Sequence, residues 1–389
     1  MSIKQYTKKD GTKRWKFEEY LGINPITGKK DRVKKSNFKT KKEAQLALNR
    51  IKNDYEINGL QKEHNETFKE IYDLWYESYK KTVKEATALA TERYMRLHVL
   101  PVLGERKIAH ITPIDSQKVT NEWSEKIQTY KLLLQYSSRV MEFAITLGII
   151  QKNPFERIIR PKPIDKSFKK EFKYYTITQV EHVLDYLASK VKEVKDDNVL
   201  YKYFAEWDLA LYRTLAFSGL RASEALALSW SDINFKSKTL DVNKNLSKTK
   251  NGYSVQTPKT KSSIRIVSLD DKTISILKKW KLRQKELYFQ MQTKSQNIVF
   301  ADMHGQYSNR QALYMRSNRV AEFANVPRIG THGWRHTHAT MLFEAGIDLK
   351  EAQERLGHSS IEITSNIYTH LSAKRKKQTA EKLSKFANF

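Results

Sequence analysis

Four short stretches in the C-terminal half of this sequence carry residue types that handle phosphate groups. They are Ser218–Glu224, Thr257–Thr260, His332–His336 and Leu356–His358, the last followed ten residues later by Tyr368. A hydroxyl that attacks a phosphodiester approaches a phosphorus that already carries negative charge, and the transition state carries more. Cations placed around that phosphorus are therefore the first requirement of the chemistry.

Arg221 and Arg335 are the candidates for neutralising that charge. Each guanidinium offers a planar fork that matches phosphate oxygens and stays charged at any working pH. Many phosphate enzymes use divalent metal for this purpose, but the sequence offers no convincing carboxylate cluster to hold one. The alternative is a structural ion pair, for which Glu224, one turn beyond Arg221, is the available partner.

The histidines near Arg335 invite a second interpretation, as metal ligands, because His332 and His336 are four residues apart and His338 is close by. A zinc helix of the His-Glu-x-x-His type would have glutamate where Gly333 stands, and no third ligand is evident. We therefore interpret His332 as a general base, since its pKa is in reach of neutral pH. We interpret His336 as a buried neighbour of Arg335.

In this order the four stretches resemble the tyrosine recombinase (phage integrase) family, and most closely its members from Gram-positive phages and conjugative transposons. Each motif alone is common by chance, whereas all four in order, with a tyrosine near the C-terminus, form a specific pattern. The match covers the whole C-terminal unit defined below. The two preceding units resemble the arm-binding and core-binding domains of that family.

The resemblance implies a role for each candidate. Any one of the 20 tyrosines is structural by default, but the resemblance identifies Tyr368 as the nucleophile, whose phenol, with a pKa of about 10, needs nearby positive charge or a base. Lys259 matches the acid that protonates the leaving 5′-oxygen, with Lys261 and Lys250 as nearby alternatives. His358 should donate a hydrogen bond to a non-bridging oxygen, or else it caps a helix end. The predicted catalytic set is Arg221, Lys259, His332, Arg335, His358 and Tyr368.

The resemblance also implies a site-specific recombinase that cleaves and rejoins double-stranded DNA through a 3′-phosphotyrosyl intermediate, with no metal or other cofactor. Such an enzyme integrates and excises a phage or other mobile element at core-type and arm-type attachment sites. The implied partners are other copies of the chain in a homotetramer on DNA, an excisionase and a host DNA-bending protein, in the cytoplasm of a bacterial host. Glu224 would buttress the site without contacting DNA.

The composition agrees with a nucleic-acid partner. There are 71 lysine and arginine residues against 43 acidic ones, which gives a net charge of +28 and a pI near 9.8. Such an excess favours binding to a polyanion, although a merely solvated basic surface is the alternative. The absence of cysteine excludes disulfides and thiolate sites. No apolar run approaches the roughly 18 residues of a membrane span, so no contact with a membrane is expected.

The expected fold is multidomain, mainly α with small β elements. An N-terminal unit (1–62) is predicted to be a three-stranded sheet plus helix that binds arm-type DNA sites. A helical unit (66–160) is predicted to bind the core site. A basic linker (161–173) leads to the C-terminal unit (174–389), a mixed α/β catalytic domain with a C-terminal tail that docks on its own domain or on a neighbouring subunit.

In the N-terminal unit, strands are predicted at Ile3–Tyr6, Arg14–Tyr20 and Asp31–Phe38, with a hairpin turn at Asp10-Gly11. A capping box at 40–43 opens a helix. Basic residues crowd the third strand and the start of this helix, which indicates a DNA-binding surface, with a solvated basic face as the alternative. The predicted DNA contacts are Lys29, Lys30, Arg32, Lys34, Lys35 and Lys39.

In the helical unit, a capping box at Thr67–Glu70 and apolar periodicity over 88–98, 113–127 and 130–147 predict helices, with a break at Pro101–Gly104 between the first two of these patterns. The third unit is mostly helical with one β interruption. Its predicted strands are Thr239–Val242, Ser254–Thr257 and Ile264–Ser268, the last two joined as a hairpin with Lys259 at its tip or shoulder.

Two other functions share parts of this pattern. A sequence-specific DNA-binding protein could keep the fold without catalysis, but the intact set of six catalytic candidates argues against it. A monomeric type IB topoisomerase shares the chemistry, but the hairpin-and-helix N-terminal unit favours a recombinase.

Overall fold

The computed structural model describes residues 3–8, 10–23, 30–58, 65–162, 173–258, 260–294, 297–362 and 364–365. They fall into two compact units, one holding the described residues up to 162 except the stretch 85–89, the other holding that stretch and the described residues from 173 onward. Within these ranges, no helix has both the length and the apolar character needed to cross a membrane.

The N-terminal residues form an antiparallel sheet of order β1-β2-β3 with one helix packed on it. Phe17 of the middle strand packs with Ala44 and Leu48 of the helix to form a small core. The helix begins where predicted, because the Thr40 hydroxyl accepts a hydrogen bond from the Glu43 backbone nitrogen at 3.1 Å. The predicted sheet and helix are confirmed. They are β1 (Lys4–Thr7), β2 (Lys13–Ile23), β3 (Lys30–Phe38) and α1 (Lys41–Asn58).

The predicted helices of the helical unit are present, and the chain breaks between the first two patterns at Gly104 as predicted, but the predicted break at Pro101 is wrong. A turn of π-helix at Met95–Val99 connects α3 to α4, and the chain stays helical as far as Leu103. Pro101, which has no N–H to donate, follows directly after the π-turn, which accommodates it. The helices are α2 (Phe68–Tyr79), α3 (Glu85–Tyr94), α4 (Leu100–Leu103), α5 (Pro113–Lys126) and α6 (Tyr130–Thr146).

The C-terminal unit is built around α8, whose Leu211, Tyr212 and Leu215 have no solvent exposure. Helices α7, α10 and α12 pack against α8. The helices are α7 (Ile177–Glu193), α8 (Val199–Ser218), α9 (Ala222–Ala225), α10 (Asp271–Gln290), α11 (Arg310–Phe323), α12 (Gly330–Glu344) and α13 (Leu349–Leu356). The strands are β4 (Ile233–Asn234), β5 (Thr239–Val242), β6 (Asn245–Thr249), β7 (Gly252–Gln256) and β8 (Arg265–Ser268).

The predicted hairpin between the last two strands is wrong. β7 pairs with β6, a strand that the sequence analysis missed, while β8 pairs with β5 in a sheet of order β4-β5-β8. The missed signal is the two-residue turn Lys250-Asn251 followed by Gly252, since Thr249 pairs with Gly252 across this turn and Gly252 adopts φ +116°. The segment that contains Lys259 therefore joins two different sheets.

Candidate active site

Arg335 lies at the centre of the candidate site. It projects from α12, is only 2% exposed, and donates hydrogen bonds to the carbonyl of Gly219 at 2.8 Å and to the carbonyl of Leu356. These carbonyls belong to the turn after α8 and to the end of α13. Burial, followed by the charge of Arg221, lowers the pKa of Arg335 to about 9, so it remains charged at neutral pH. One side chain thus connects three segments.

Arg221 is held by the buried carboxylate of Glu224. Arg221 donates from Nη1 to Glu224 Oε1 at 2.7 Å and from its backbone nitrogen to Oε2 at 2.9 Å, and its side chain is 35% exposed. Burial opposes ionisation of Glu224, but the neighbouring Arg265 and Arg221 outweigh it and hold its pKa below the usual value. Arg221 therefore has a fixed guanidinium with a face open to solvent, as a phosphate ligand requires.

Two glycines in the left-handed region let these segments approach each other. Gly219 ends α8 with φ +66°, and a Cβ there would lie 2.4 Å from Cδ2 of His338. Gly357 ends α13 with φ +65°, and a Cβ there would lie 2.9 Å from the carbonyl oxygen of Ser262. Both the dihedral angle and the space therefore require glycine at these positions.

His358 follows directly and is buried, with Nδ1 2.9 Å from the hydroxyl of Thr364. Burial, together with the charges of Arg335 and Arg221, lowers its pKa to about 3. His358 is therefore neutral at physiological pH. A neutral imidazole whose Nδ1 is occupied has Nε2 left for a further hydrogen bond. The alternative interpretation of His358 as a helix-end cap receives partial support from its backbone nitrogen, which donates to the Gln353 carbonyl at 3.1 Å.

His332 is exposed at the start of α12, and its ring lies edge-on to that of His336 with centroids 4.6 Å apart. The surrounding atoms desolvate its charged form and lower its pKa, and Arg335 and Arg221 lower it further. It is therefore a neutral and accessible base. His336 is partly buried, and desolvation followed by the charge of His332 lowers its pKa to about 4.

A second histidine–arginine pair supports the site from behind. The ring of buried His338 contacts the Ala216 carbonyl through Nδ1 at 2.8 Å and accepts from Arg355 at Nε2, at 3.1 Å. These contacts fix a neutral tautomer with its proton on Nδ1, and burial followed by the charge of Arg355 lowers the His338 pKa to about 3. Arg355 also donates to the Phe217 carbonyl at 3.0 Å. His338 is a structural residue here and not a metal ligand.

The structure brings together four of the six predicted catalytic residues, namely Arg221, His332, Arg335 and His358. Arg221 donates to the carbonyl of Gly357, next to His358, at 3.4 Å, Arg335 donates to the carbonyl of Leu356, and His332 lies one turn before Arg335 on α12. Lys259 and Tyr368 lie outside the described residues, and the predicted DNA contact Lys29 does as well. In the parts of the chain that the structure describes, no group of three or more histidine or acidic side chains is arranged to hold a metal ion.

The other predicted DNA contacts lie on or next to β3. Alternation along the strand places Val33 against the helix and Arg32 and Lys34 on the opposite face. All five described members of this set are exposed: Lys30, Arg32, Lys34, Lys35 and Lys39.

Sequence reasoning missed Arg265, Arg355 and Thr364. Arg265 is the first residue of β8, and it contacts Glu224 from a position 41 residues away in sequence. The sequence shows an arginine in a short strand and a threonine after a Leu-Gly-His motif, both of which are ordinary. Only the arrangement in space distinguishes them.

Family models match three consecutive parts of the chain. The phage integrase family matches residues 179–375, the N-terminal SAM-like domain of phage integrases matches residues 67–124, and an arm DNA-binding domain matches residues 2–55. The first match alone covers half of the chain.

Relatives match over nearly the full length. A XerC-like tyrosine recombinase of Caldanaerobacter subterraneus subsp. tengcongensis is 30% identical, with 94% of this chain and 96% of that protein covered. The ICEBs1 integrase of Bacillus subtilis is 24% identical over 95% of this chain and 96% of its own length. The Tn916 transposase of Enterococcus faecalis is 27% identical over 69% and 65%, respectively.

Solved structures share the fold. The Tn1549 transposon integrase in complex with a circular intermediate DNA has a TM-score of 0.64 at 24% identity, with 82% of this chain and 99% of that chain covered. A lambda integrase dimer bound to a core site has a TM-score of 0.54 at 16% identity, with 93% of each chain covered. The resemblance and the fold class predicted from the sequence are confirmed. The chain belongs to the phage integrase family of tyrosine recombinases, with relatives in Gram-positive phages and conjugative transposons.

Proposed function

We propose that this protein is a site-specific integrase that cleaves and rejoins double-stranded DNA through a 3′-phosphotyrosyl intermediate, and that it both integrates and excises its mobile element. The observation that carries the proposal is the convergence of Arg221, Arg335, His332 and His358 at one place in the C-terminal unit. Of the two arginines, Arg221 is held by Glu224 and Arg335 by backbone carbonyls, and neither depends on an exposed ion pair.

The chemistry follows from these positions. Arg221 and Arg335 neutralise the non-bridging oxygens of the scissile phosphate, and His358 donates to one of them from Nε2. Neutral His332 accepts the proton of Tyr368 as the tyrosine oxygen bonds to phosphorus. Lys259 gives a proton to the 5′-oxygen as its bond to phosphorus breaks. Rejoining reverses these steps, so the phosphotyrosyl bond preserves the energy of the phosphodiester.

The domain division is part of the proposal. The small core around Phe17 and the separate cores of the helical and C-terminal units support three independently packed parts: 1–62, 66–160 and 174–389, with a basic linker at 161–173. The match to an arm DNA-binding domain supports binding of arm-type sites by the first part. The helical and C-terminal units would bind the core site.

The assembly is likewise proposed from the family relationship. Strand exchange requires two cuts on each of two duplexes, which four protomers supply, so the active form is a homotetramer on DNA. An excisionase and a host DNA-bending protein direct the reaction, which takes place in the cytoplasm of the bacterial host.

The test is covalent capture. The direct repeats that flank the integrated element supply core-site DNA, which is nicked near the cleavage position so that the cut cannot be resealed. The wild-type protein forms a covalent complex in excess EDTA. Tyr368→Phe forms none, while its DNA affinity stays within about twofold, because the hydroxyl acts only in the chemical step.

Tyr201→Phe is the matched control, since Tyr201 is 68% exposed on α8 and its loss should leave capture unchanged. A normal covalent complex with Tyr368→Phe would disprove the nucleophile. Relaxation of plasmids that lack the core site would favour a topoisomerase.

A further inference from the structure

Arg265 is a buried arginine with three hydrogen-bond acceptors from three different segments. Its side chain is 6% exposed. Nη2 donates to Glu224 Oε2 at 3.0 Å, Nε donates to the Arg355 carbonyl at 2.7 Å, and Nη1 donates to the Ser263 carbonyl at 3.0 Å. All three nitrogens of the guanidinium thus have acceptors inside the protein.

Each of the three acceptors belongs to a segment that carries a proposed catalytic residue. Glu224 fixes Arg221 through two hydrogen bonds. Ser263 ends the short helical turn that follows the segment containing Lys259. Arg355 is in the last turn of α13, three residues before His358.

The fit around Arg265 is tight. A Cβ at Gly357 would lie 3.1 Å from both Cδ and Nη1 of Arg265. The glycine that turns the chain toward His358 therefore also makes room for Arg265. Since β8 is paired with β5 along its length, the guanidinium projects from a rigid strand.

We infer that Arg265 is a positioning residue that holds Arg221, His358 and the segment of Lys259 in one arrangement, and that it acts on Arg221 through ionised Glu224. This inference rests on the proposed function, because it assigns a role within that reaction. Arg265 itself touches neither DNA nor the reacting atoms.

The charge of Glu224 is the link that can be tested. The charged groups that face it are Arg221 from its own segment, Arg265 from β8 and Arg335 from α12. Loss of Arg265 removes the largest of the influences that favour the ionised form, while burial continues to oppose it. The pKa of Glu224 then rises, and a protonated carboxyl no longer holds Arg221 by an ion pair.

The experiment measures single-turnover cleavage of core-site DNA from pH 5.5 to 8.5 by the full-length protein. We compare Arg265→Gln with the wild type at each pH. One pH unit below the raised pKa, about a tenth of the molecules keep an ionised Glu224, so the rate relative to wild type falls roughly tenfold as the pH is lowered. Glu224→Gln added to Arg265→Gln removes this extra pH dependence, because no carboxyl remains to titrate.

Arg316→Gln is the matched control. Arg316 holds Asp208, whose side chain is 14% exposed, through two hydrogen bonds, at 2.9 and 2.6 Å, so its loss also leaves a largely buried carboxylate without its arginine. It should follow the wild-type pH profile. Arg265→Lys keeps the charge but cannot reach three acceptors, so it should cleave more slowly with an unchanged profile. This variant also tests the inference if Arg265→Gln does not fold.

Three results would overturn the inference: a wild-type profile for folded Arg265→Gln, an extra pH dependence that persists without Glu224, or normal cleavage by Arg265→Lys. Failure of the wild-type protein to form any covalent complex would instead reject the proposed function.

Discussion

The basic residues of this protein occur in two physically different settings. On β3, Lys34 has a side chain 73% exposed, and its ion pair with Glu18 at 3.1 Å is itself exposed. In the C-terminal unit, Arg335 and Arg265 are almost completely buried and donate to backbone carbonyls at defined positions. The same charge is exposed to water in one place and buried at a defined position in the other.

The difference shows what each region can do with DNA. Exposed lysines attract a polyanion through the sum of many weak, salt-screened contacts, and each contact is replaceable. A buried guanidinium with its donors already directed toward carbonyls has few orientations left, so it can stabilise one transition-state geometry. We therefore expect single substitutions to matter most where the cation is buried and least on β3.

The largest effect among the cations is predicted for Arg335→Lys. Lysine keeps the positive charge but cannot donate to both the Gly219 and Leu356 carbonyls while facing a phosphate. Single-turnover cleavage should fall roughly 10²–10³-fold, as for loss of a fixed transition-state donor. Arg283→Lys, in the Arg283–Glu206 ion pair, is the control. Cleavage within about tenfold of wild type by the folded variant would show that charge alone suffices.

The next effect is predicted for Lys259, and it tests whether this lysine is the acid that protonates the leaving 5′-oxygen. Lys259→Ala should cleave an ordinary phosphodiester about 10²-fold more slowly, because the 5′-oxygen then leaves without a proton. A substrate with sulfur at the 5′-bridging position leaves unprotonated and should restore the rate. Lys261→Ala and Lys250→Ala are matched controls. If Lys259→Ala were equally slow on both substrates, Lys259 would bind phosphate and would not be the acid.

A smaller effect is predicted for Thr364→Val. If His358 donates to the phosphate from Nε2, its Nδ1 must accept, so the Thr364 hydroxyl donates across their 2.9 Å contact. Valine keeps the shape but removes the donor, and the ring can then place its proton on Nδ1. Cleavage should fall roughly tenfold, the value of one hydrogen bond, and Thr364→Ser should restore it. Equal rates for the valine and serine variants would refute this tautomer.

The sequence was sufficient to predict the parts that depend on local patterns. Thr67 accepts from the Glu70 backbone nitrogen as its capping box predicts, and the three N-terminal strands follow from alternation. The four catalytic candidates in the described part of the chain could be identified because each lies in a short motif of neighbouring residues. Local rules also failed for local reasons. Proline usually breaks a helix, but a preceding π-turn accommodates Pro101. The predicted hairpin pairs β7 with the wrong neighbour because it overlooks the Lys250-Asn251 turn.

Apart from Glu224, the supporting residues could not be predicted, because their partners are far away in sequence. Arg265 meets the Arg355 carbonyl 90 residues away, and His338 meets the Ala216 carbonyl 122 residues away. A periodic pattern contains no information on such pairs. The sequence therefore identified the groups proposed to contact DNA and, among the groups that hold them in place, only Glu224, which is three residues from Arg221.

The smallest effect on cleavage is predicted for the N-terminal unit. Lys34→Gln should weaken arm-site binding only a few-fold and reduce the salt dependence of binding by about one counterion, since its neighbours Arg32 and Lys35 remain exposed and charged. Deletion of residues 1–62 should abolish arm-site binding and leave core-site cleavage unchanged, because no proposed catalytic residue lies there. Affinity titrations at several salt concentrations, together with covalent capture on core-site DNA, measure both. Loss of core-site cleavage by the folded truncated protein would show that the exposed lysines and the buried arginines work as one site.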